Sequence, residues 1–142
     1  MRIYQAGPLF TEAEILWHRV FRDKLAAADI RVLWPGEFFT QQEINNWGKN
    51  ACKNIMERDR KAIDACDAVV ALLDGTQVDD GTAWEIGYAY AKGIPVIGIR
   101  TDFRKSGDTQ HSCVNAMIEG SCLAIVKDAE SVLDILKNKL NV

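Results

Sequence analysis

The chain has 142 residues, of which 48% are hydrophobic and 26% are charged, and its formal net charge is -3. This length and balance are typical of one globular domain, so we expect residues 1–142 to form a single domain. The sequence has no basic run, which argues against a nucleic-acid polymer as a partner. It also shows no signal peptide and no membrane-length apolar segment, so we expect a cytoplasmic protein that does not bind membranes.

The cysteines and histidines are scattered and do not have the spacing of a metal site. No CxxC pair occurs among Cys52, Cys66, Cys113 and Cys122, and neither His18 nor His111 lies near them in a ligand pattern. We interpret the cysteines as reduced thiols rather than as a disulfide or zinc site.

The chain begins with a short apolar strand over residues 2–6, which Gly7 and Pro8 break into a turn. Gly7 would allow the backbone to approach a ligand closely. The next segment starts with the capping box Thr11-x-x-Glu14, and its apolar spacing predicts an amphipathic helix to about residue 28. No G-x-G-x-x-G follows the strand, so the dinucleotide fingerprint is absent.

A second strand is predicted over residues 30–35, followed by a polar segment over residues 36–48 that carries aromatic side chains. We interpret this segment either as a lid over a flat ring or as a surface loop whose aromatics pack on their own domain; these residues are Phe38, Phe39 and Trp47. A helix is predicted from about residue 51 to 65. It carries Asp59, which taken alone would be a solvated charge.

The third predicted strand, residues 68–74, leads into an acidic turn and then a helix from Thr82 to about Gly93. Thr82-x-x-Glu85 fits a capping box, in which the carboxylate only satisfies backbone amides. The helix is apolar almost all round, so it should be buried on most faces, and Glu85 would then lie in a crevice. Both interpretations of Glu85 remain open at this point.

The rest of the chain predicts a fourth strand over residues 94–99, a polar loop over 101–108 and a short helix around 114–118. A fifth strand over 123–126 and an amphipathic helix over 131–140 follow.

Strands that alternate with helices, each strand a continuous apolar run, predict an α/β fold with a doubly wound parallel sheet. We expect five strands in the flavodoxin-like or Rossmann-like order 2-1-3-4-5. Strands one and three are neighbours in that order. Residues 4–10 and 79–85 would therefore face each other across one crevice at the carboxyl edge of the sheet.

The crevice would hold carboxylates without a P-loop, a Ser/His pair or metal-ligand histidines, which favours acid–base chemistry or a carboxylate nucleophile. A carboxylate nucleophile suits attack on an acetal-like carbon through an oxocarbenium-like transition state. The spacing of the residues does not identify which acetal. This chemistry calls for no metal or organic cofactor.

The sequence resembles the nucleoside 2-deoxyribosyltransferases and the related deoxynucleoside 5'-monophosphate N-glycosidases. Four segments spread over nearly the whole chain carry the resemblance: Ile3 to Phe10, Asp59 with Asp67 to Asp74, Asp79 to Ala89, and Asp102 to Ile118. The core D-x-G-T-x-x-E-[IL]-G, placed after a strand, is the specific part.

This resemblance implies that Glu85 attacks the anomeric carbon of a 2'-deoxynucleoside and holds a covalent deoxyribosyl ester until a second nucleobase arrives. Asp59 and Asp79 would handle the nucleobase and its proton, and Tyr4 would orient the nucleophile. Asn115 would reach the sugar 5'-hydroxyl from a neighbouring subunit, which implies a homo-oligomer with a shared active site. We further expect substrate contacts from Gly7, Phe10 and Gly81.

Two other functions are weighed against this one. An N-glycosidase would take the 5'-monophosphate and pass the sugar to water, and would need more donors and positive charge near the 5' end than the neutral Asn115 supplies. A non-catalytic nucleoside sensor would need the crevice but not Glu85. Preference for purines or pyrimidines, and whether Asp79 or Asp80 faces the base, cannot be read from the sequence.

Overall fold

The structure, a computed structural model, describes residues 1–140 and has a five-stranded, all-parallel sheet in the order β2-β1-β3-β4-β5. The strands are β1 (Arg2–Ala6), β2 (Arg31–Leu33), β3 (Ala68–Leu72), β4 (Val96–Ile99) and β5 (Ala124–Val126). The predicted fold class and strand order are confirmed. In the central register Tyr4 pairs with Val69, so the ends of β1 and β3 lie side by side.

Within residues 1–140, six α-helices connect and cover the strands: α1 (Glu12–Ala26), α2 (Gln41–Trp47), α3 (Ala51–Asp64), α4 (Asp80–Ala91), α5 (Ala116–Ser121) and α6 (Ala129–Lys139). The Thr11–Glu14 capping box predicted for α1 is present in both directions. Gly93, with φ of 71°, follows the last turn of α4 in a conformation that favours glycine. Among residues 1–140, no helix is long and apolar enough to cross a membrane.

The hydrophobic core is divided by the sheet into two layers. One layer packs α1 and α6 against side chains such as Ile3 and Val70. The other packs α3 and α4, through Ile63 and Ile86, against Tyr4 and its neighbours. Side chains of successive strand residues point to opposite faces, so Tyr4 belongs to the same layer as α3 and α4, the helices that carry Asp59 and Glu85.

Residues 36–48 are more regular than the sequence analysis predicted. A short 3₁₀ turn, Pro35–Glu37, is followed by α2, whose Thr40–Glu43 capping box satisfies the first amides of the helix. The aromatics of this segment contact one another, since Phe39 lies edge-on to both Phe38 and Trp47. This packing favours the second of the two interpretations, aromatics that pack on their own domain.

The start and the burial of α4 also differ from the prediction. The helix begins at Asp80, and the residue that caps it is Asp79 rather than Thr82. Its outer side is open, because Trp84 and Tyr90 are 47% and 63% exposed. The prediction that this helix is buried on most faces was therefore wrong, since apolar composition alone does not say how many faces are covered.

Candidate active site

The site is organised around a hydrogen bond between β1 and α4. The Tyr4 hydroxyl donates to Oε1 of Glu85 at 2.5 Å, and the two residues are 81 positions apart in the chain. Tyr4 is fully buried, so its ring cannot move freely. The bond therefore holds the Glu85 carboxylate in one orientation. Because the N-cap of α4 is Asp79 and not Thr82, the interpretation of Glu85 as the partner of Thr82 in a capping box was wrong.

Glu85 is partly buried in a setting that disfavours its charge. Burial raises the pKa of its carboxyl to about 8, the Tyr4 hydrogen bond acts in the opposite direction, and the nearby charges of Asp59 and Asp79 raise it further. Burial and the charges of Glu85 and Asp59 also raise the pKa of the Tyr4 hydroxyl, which therefore remains a donor. The charges of Asp59 and Asp79 thus act on Glu85, and those of Asp59 and Glu85 act on Tyr4.

Asp59 on α3 is the second carboxyl of the cluster. Its Oδ1 atom is buried and has no hydrogen-bond partner in the part of the chain that the structure describes. Burial raises the pKa of this carboxyl to about 6, against the opposing charge of Arg58. A carboxyl with an unsatisfied buried oxygen and a pKa near neutrality is suited to donating or accepting a proton.

Asp79 has a structural role that the sequence analysis did not assign to it. Its Oδ2 accepts hydrogen bonds from the backbone amide and the hydroxyl of Thr82, both at 2.9 Å, and so caps α4. Gly81 lies directly over this carboxylate, because a Cβ at that position would be 3.3 Å from Asp79 Oδ2. Asp80, by contrast, is exposed and bonds to the amide of Gly81.

The turn after β1 is held from behind by a buried histidine. His18 Nε2 lies 3.0 Å from the Pro8 carbonyl and Nδ1 lies 2.7 Å from Gln5 Nε2. Because a carbonyl only accepts, Nε2 carries the proton and Nδ1 accepts from the Gln5 amide. Burial lowers the pKa of His18 to about 4, which keeps the ring neutral. A Cβ on Gly7 would lie 2.6 Å from the His18 ring, so only glycine fits this turn.

Asn115 and Phe10 are not part of the cluster within one chain. Asn115 caps the short helix α5 and lines a cavity of about 630 Å³ between α4 and α5. Ala83, Gly87 and Tyr90 line the same cavity. At ~100° per residue these three positions are about 140–200° around the helix axis from Glu85, so the cavity lies on the opposite side of α4. Phe10 is 78% exposed at the end of the β1 turn.

Two further residues lie near the cluster: Phe38, which the sequence analysis named as a possible lid residue, and Arg58, which it did not select. The Phe38 ring lies 6.4 Å from the Tyr4 ring, and the Arg58 guanidinium lies within 6.0 Å of the centres of Phe38 and Phe39. The positive charge of Arg58 also acts on Asp59, since it lowers the pKa of that carboxyl against the effect of burial. Its position next to Asp59 in the sequence was a usable signal, whereas the packing of Phe38 on Tyr4 depends on the tertiary fold.

The geometry agrees with a known family. The family described as Nucleoside 2-deoxyribosyltransferase matches residues 3–117, a range that contains Tyr4, Asp59, Asp79, Glu85 and Asn115. The chain belongs to the nucleoside 2-deoxyribosyltransferase family. The resemblance found in the sequence is thereby confirmed.

Three solved structures are similar to this chain over nearly its whole length. A conserved protein from Enterococcus faecalis V583 is 30% identical, with 98% of each chain covered and a TM-score of 0.78. A 2-deoxyribosyltransferase from Bacillus psychrosaccharolyticus is 24% identical, with 93% of this chain and 90% of that chain covered and a TM-score of 0.71. A CMP N-glycosidase from Clostridium botulinum is 19% identical, with 96% and 99% covered and a TM-score of 0.60. At these identities the last two likenesses show the fold alone.

Proposed function

We propose that the protein transfers 2-deoxyribose from a 2'-deoxynucleoside to a free nucleobase, with Glu85 as the nucleophile. The observation that carries the proposal is the pair of carboxyls in one crevice: Glu85, oriented by the Tyr4 hydroxyl at 2.5 Å, and Asp59, with a buried oxygen that has no partner. Both pKa values are raised toward neutrality. Such a pair holds one proton and one negative charge at once. The proton favours Glu85, whose pKa is the higher of the two, and the reactive form is the minority one in which Asp59 carries the proton and Glu85 is ionised.

The reaction proceeds in two displacements. Glu85 attacks the anomeric carbon as the glycosidic C–N bond breaks, and the electron pair of that bond leaves with the base, which takes up the proton of Asp59. A deoxyribosyl ester of Glu85 results. The second base then attacks the same carbon, the ester bond breaks, and its electron pair returns to Glu85 while the incoming base gives its proton back to Asp59. Asp79, held at the start of α4, assists in contacting the base.

The absence of a 2'-hydroxyl on the sugar favours this path. An electron-withdrawing oxygen at that carbon would destabilise the oxocarbenium-like transition state, so a deoxyribosyl group transfers more readily. Gly7 and Gly81 allow the backbone to approach the substrate closely, and Phe10 adds an apolar contact at the rim. No metal or organic cofactor takes part in these steps.

The position of Asn115 supports a homo-oligomer with shared sites. Its cavity lies on the side of α4 opposite Glu85, so the amide does not reach a sugar held on the nucleophile of the same chain. In the proposed assembly, Asn115 of a second copy contacts the 5'-hydroxyl. The exposed Trp84 and Tyr90 on the outer side of α4 leave apolar surface for that contact.

Hydrolysis of a 5'-monophosphate is the alternative function. Ser106 and Ser121 line the Asn115 cavity and could donate to a phosphate, which is the observation in its favour. However, Asp80 and Asp108 also line this cavity, and among the residues that the structure describes no lysine or arginine does. Two carboxylates repel a phosphate and accept hydrogen bonds from a hydroxyl, so the lining favours the nucleoside over its monophosphate.

The deciding experiment incubates the purified protein with deoxyinosine and free adenine or cytosine, and separately with a deoxynucleoside 5'-monophosphate alone. The products of both reactions are separated and identified by chromatography. We expect a new deoxynucleoside in the first reaction. Free base and deoxyribose 5-phosphate in the second reaction only would establish the hydrolase instead. No product in either reaction would point to a nucleoside sensor.

A further inference from the structure

A second cavity, of about 570 Å³, lies at the carboxyl end of β4 and β5 and is independent of the carboxylate cluster. It is lined by the loop that follows β4, by residues of β5, and by Cys113, Glu119 and Cys122. None of Tyr4, Asp59, Asp79 and Glu85 contributes to it. The proposed transfer reaction makes no use of this cavity.

The cavity contains a buried cation that has no anionic partner. Arg100 is 4% exposed, and its guanidinium donates to the backbone carbonyls of Leu73, Gly75 and Arg104. Within residues 1–140 it forms no ion pair, and its buried Nε has no hydrogen-bond partner. A buried charge is costly unless a counter-charge or a full set of hydrogen bonds compensates for it.

The other charged groups of the lining leave a local excess of positive charge. Lys105 and Lys127 both line the cavity, and the described part of the chain pairs neither with a carboxylate. The two carboxylates present are already engaged. Asp102 binds the Arg104 guanidinium, and Glu119 accepts the backbone amides of Cys113 and Val114.

We propose that this cavity binds a small phosphate-type dianion, either inorganic phosphate or a phosphate monoester. Arg100 contributes a guanidinium charge to the lining that no carboxylate of the described residues neutralises, and the exposed Lys105 and Lys127 supply two ammonium groups. Guanidinium and ammonium groups together are typical of phosphate sites, and a dianion neutralises more of this positive charge than a single carboxylate does. The volume is larger than one phosphate requires, so the site has room for a short organic chain on the ester.

The test is a titration of the full-length protein with inorganic phosphate and, in parallel, with glycerol 3-phosphate, followed by ¹H–¹⁵N NMR. We expect saturable shifts of the amides at residues 100–105 and 124–127. The double variant Lys105→Gln, Lys127→Gln should weaken binding about tenfold, because two exposed charge contacts are lost. Tighter binding of the ester would identify a phosphorylated metabolite as the ligand, and equal binding would identify free phosphate.

The matched control is Lys49→Gln, Lys53→Gln, which makes the same change of charge on an exposed surface away from the cavity. It should bind phosphate as the unmodified protein does. Equal weakening in both double variants would overturn the proposal, as would the absence of saturable shifts at tens of millimolar phosphate. Shifts confined to Tyr4, Asp79 and Glu85 would overturn it too, because they would place the anion in the other crevice.

Discussion

Acidic side chains at the carboxyl edge of the sheet fall into two groups with opposite surroundings. Asp74 accepts the amides of Thr101 and Asp102 at 2.6 and 2.9 Å, and Asp102 binds the Arg104 guanidinium, which holds the pKa of its carboxyl well below the usual range. Glu85 and Asp59 have raised pKa values, and between them they receive one side-chain hydrogen bond from the described part of the chain. The first pair joins loops, whereas the second retains the capacity to react.

Among the substitutions in the two groups, replacing Glu85 should have the largest effect on the rate of base exchange. Glu85→Gln removes the nucleophile while preserving the size of the side chain, so we expect base exchange to fall by about 10⁴-fold or more. The melting temperature should not decrease, because a neutral group suits this crevice. The control is Glu130→Gln, an exposed carboxylate on α6 paired with Lys24. Undiminished exchange by the Glu85 variant would disprove the assignment.

The pH dependence tests whether the carboxyl pair acts as a unit. Below a pH of about 6 both carboxyls are protonated and the nucleophile is lost, and above about 8 both are ionised and the acid is lost. We therefore expect a bell-shaped profile of kcat/KM with its maximum between these values. Asp59→Asn should lower the rate about 10²–10⁴-fold and abolish the alkaline decline. A decline that persists in this variant would exclude Asp59 as the acid.

Removing the Tyr4 hydroxyl should have a smaller effect. The hydrogen bond from Tyr4 lowers the pKa of Glu85, so Tyr4→Phe should raise that pKa and move the alkaline limb of the profile, which lies near pH 8, to higher pH. At neutral pH the rate should fall about tenfold, because each unit by which the pKa of Glu85 rises lowers the ionised fraction of Glu85 about tenfold. Tyr88→Phe, which loses a hydroxyl bonded to Asp64, should leave the profile unchanged.

The smallest effect on turnover is expected from the first pair, Asp74 and Asp102, whose carboxylates are already hydrogen-bonded. Asp74→Asn breaks bonds that join the end of β3 to the loop after β4, so the free energy of unfolding should fall by about 1–3 kcal/mol in denaturant titrations. Its kcat should remain that of the unmodified protein. A loss of kcat with no change in stability would contradict the division into two groups.

The fold was predictable because local signals and topology agreed. Apolar runs marked the strands, and right-handed crossovers left few possible orders. The predicted strand order places the end of β1 beside the end of β3, and therefore places Tyr4 near Glu85. The helix α2 was missed although Thr40-x-x-Glu43 is a visible capping box in the sequence.

Other features could not be decided without the tertiary structure. Asp79-x-x-Thr82 and Thr82-x-x-Glu85 have the same spacing, so the sequence offers two equivalent caps for α4. In the folded chain Asp79 accepts from the Thr82 amide, and Glu85 bonds instead to Tyr4, a partner that no local pattern reveals. Likewise, no local pattern shows that Asp59 keeps an oxygen without a partner, because that property depends on what packs against it from every side.

The separation of 81 residues between Tyr4 and Glu85 has a consequence for folding. During synthesis the first strand leaves the ribosome long before α4 exists, and contacts between distant segments form slowly because the intervening chain must be ordered first. No fragment that lacks either end of this interval can orient the nucleophile. In the proposed reaction, activity therefore depends on the long-range docking of β1 beside α4 and not on the formation of any local element.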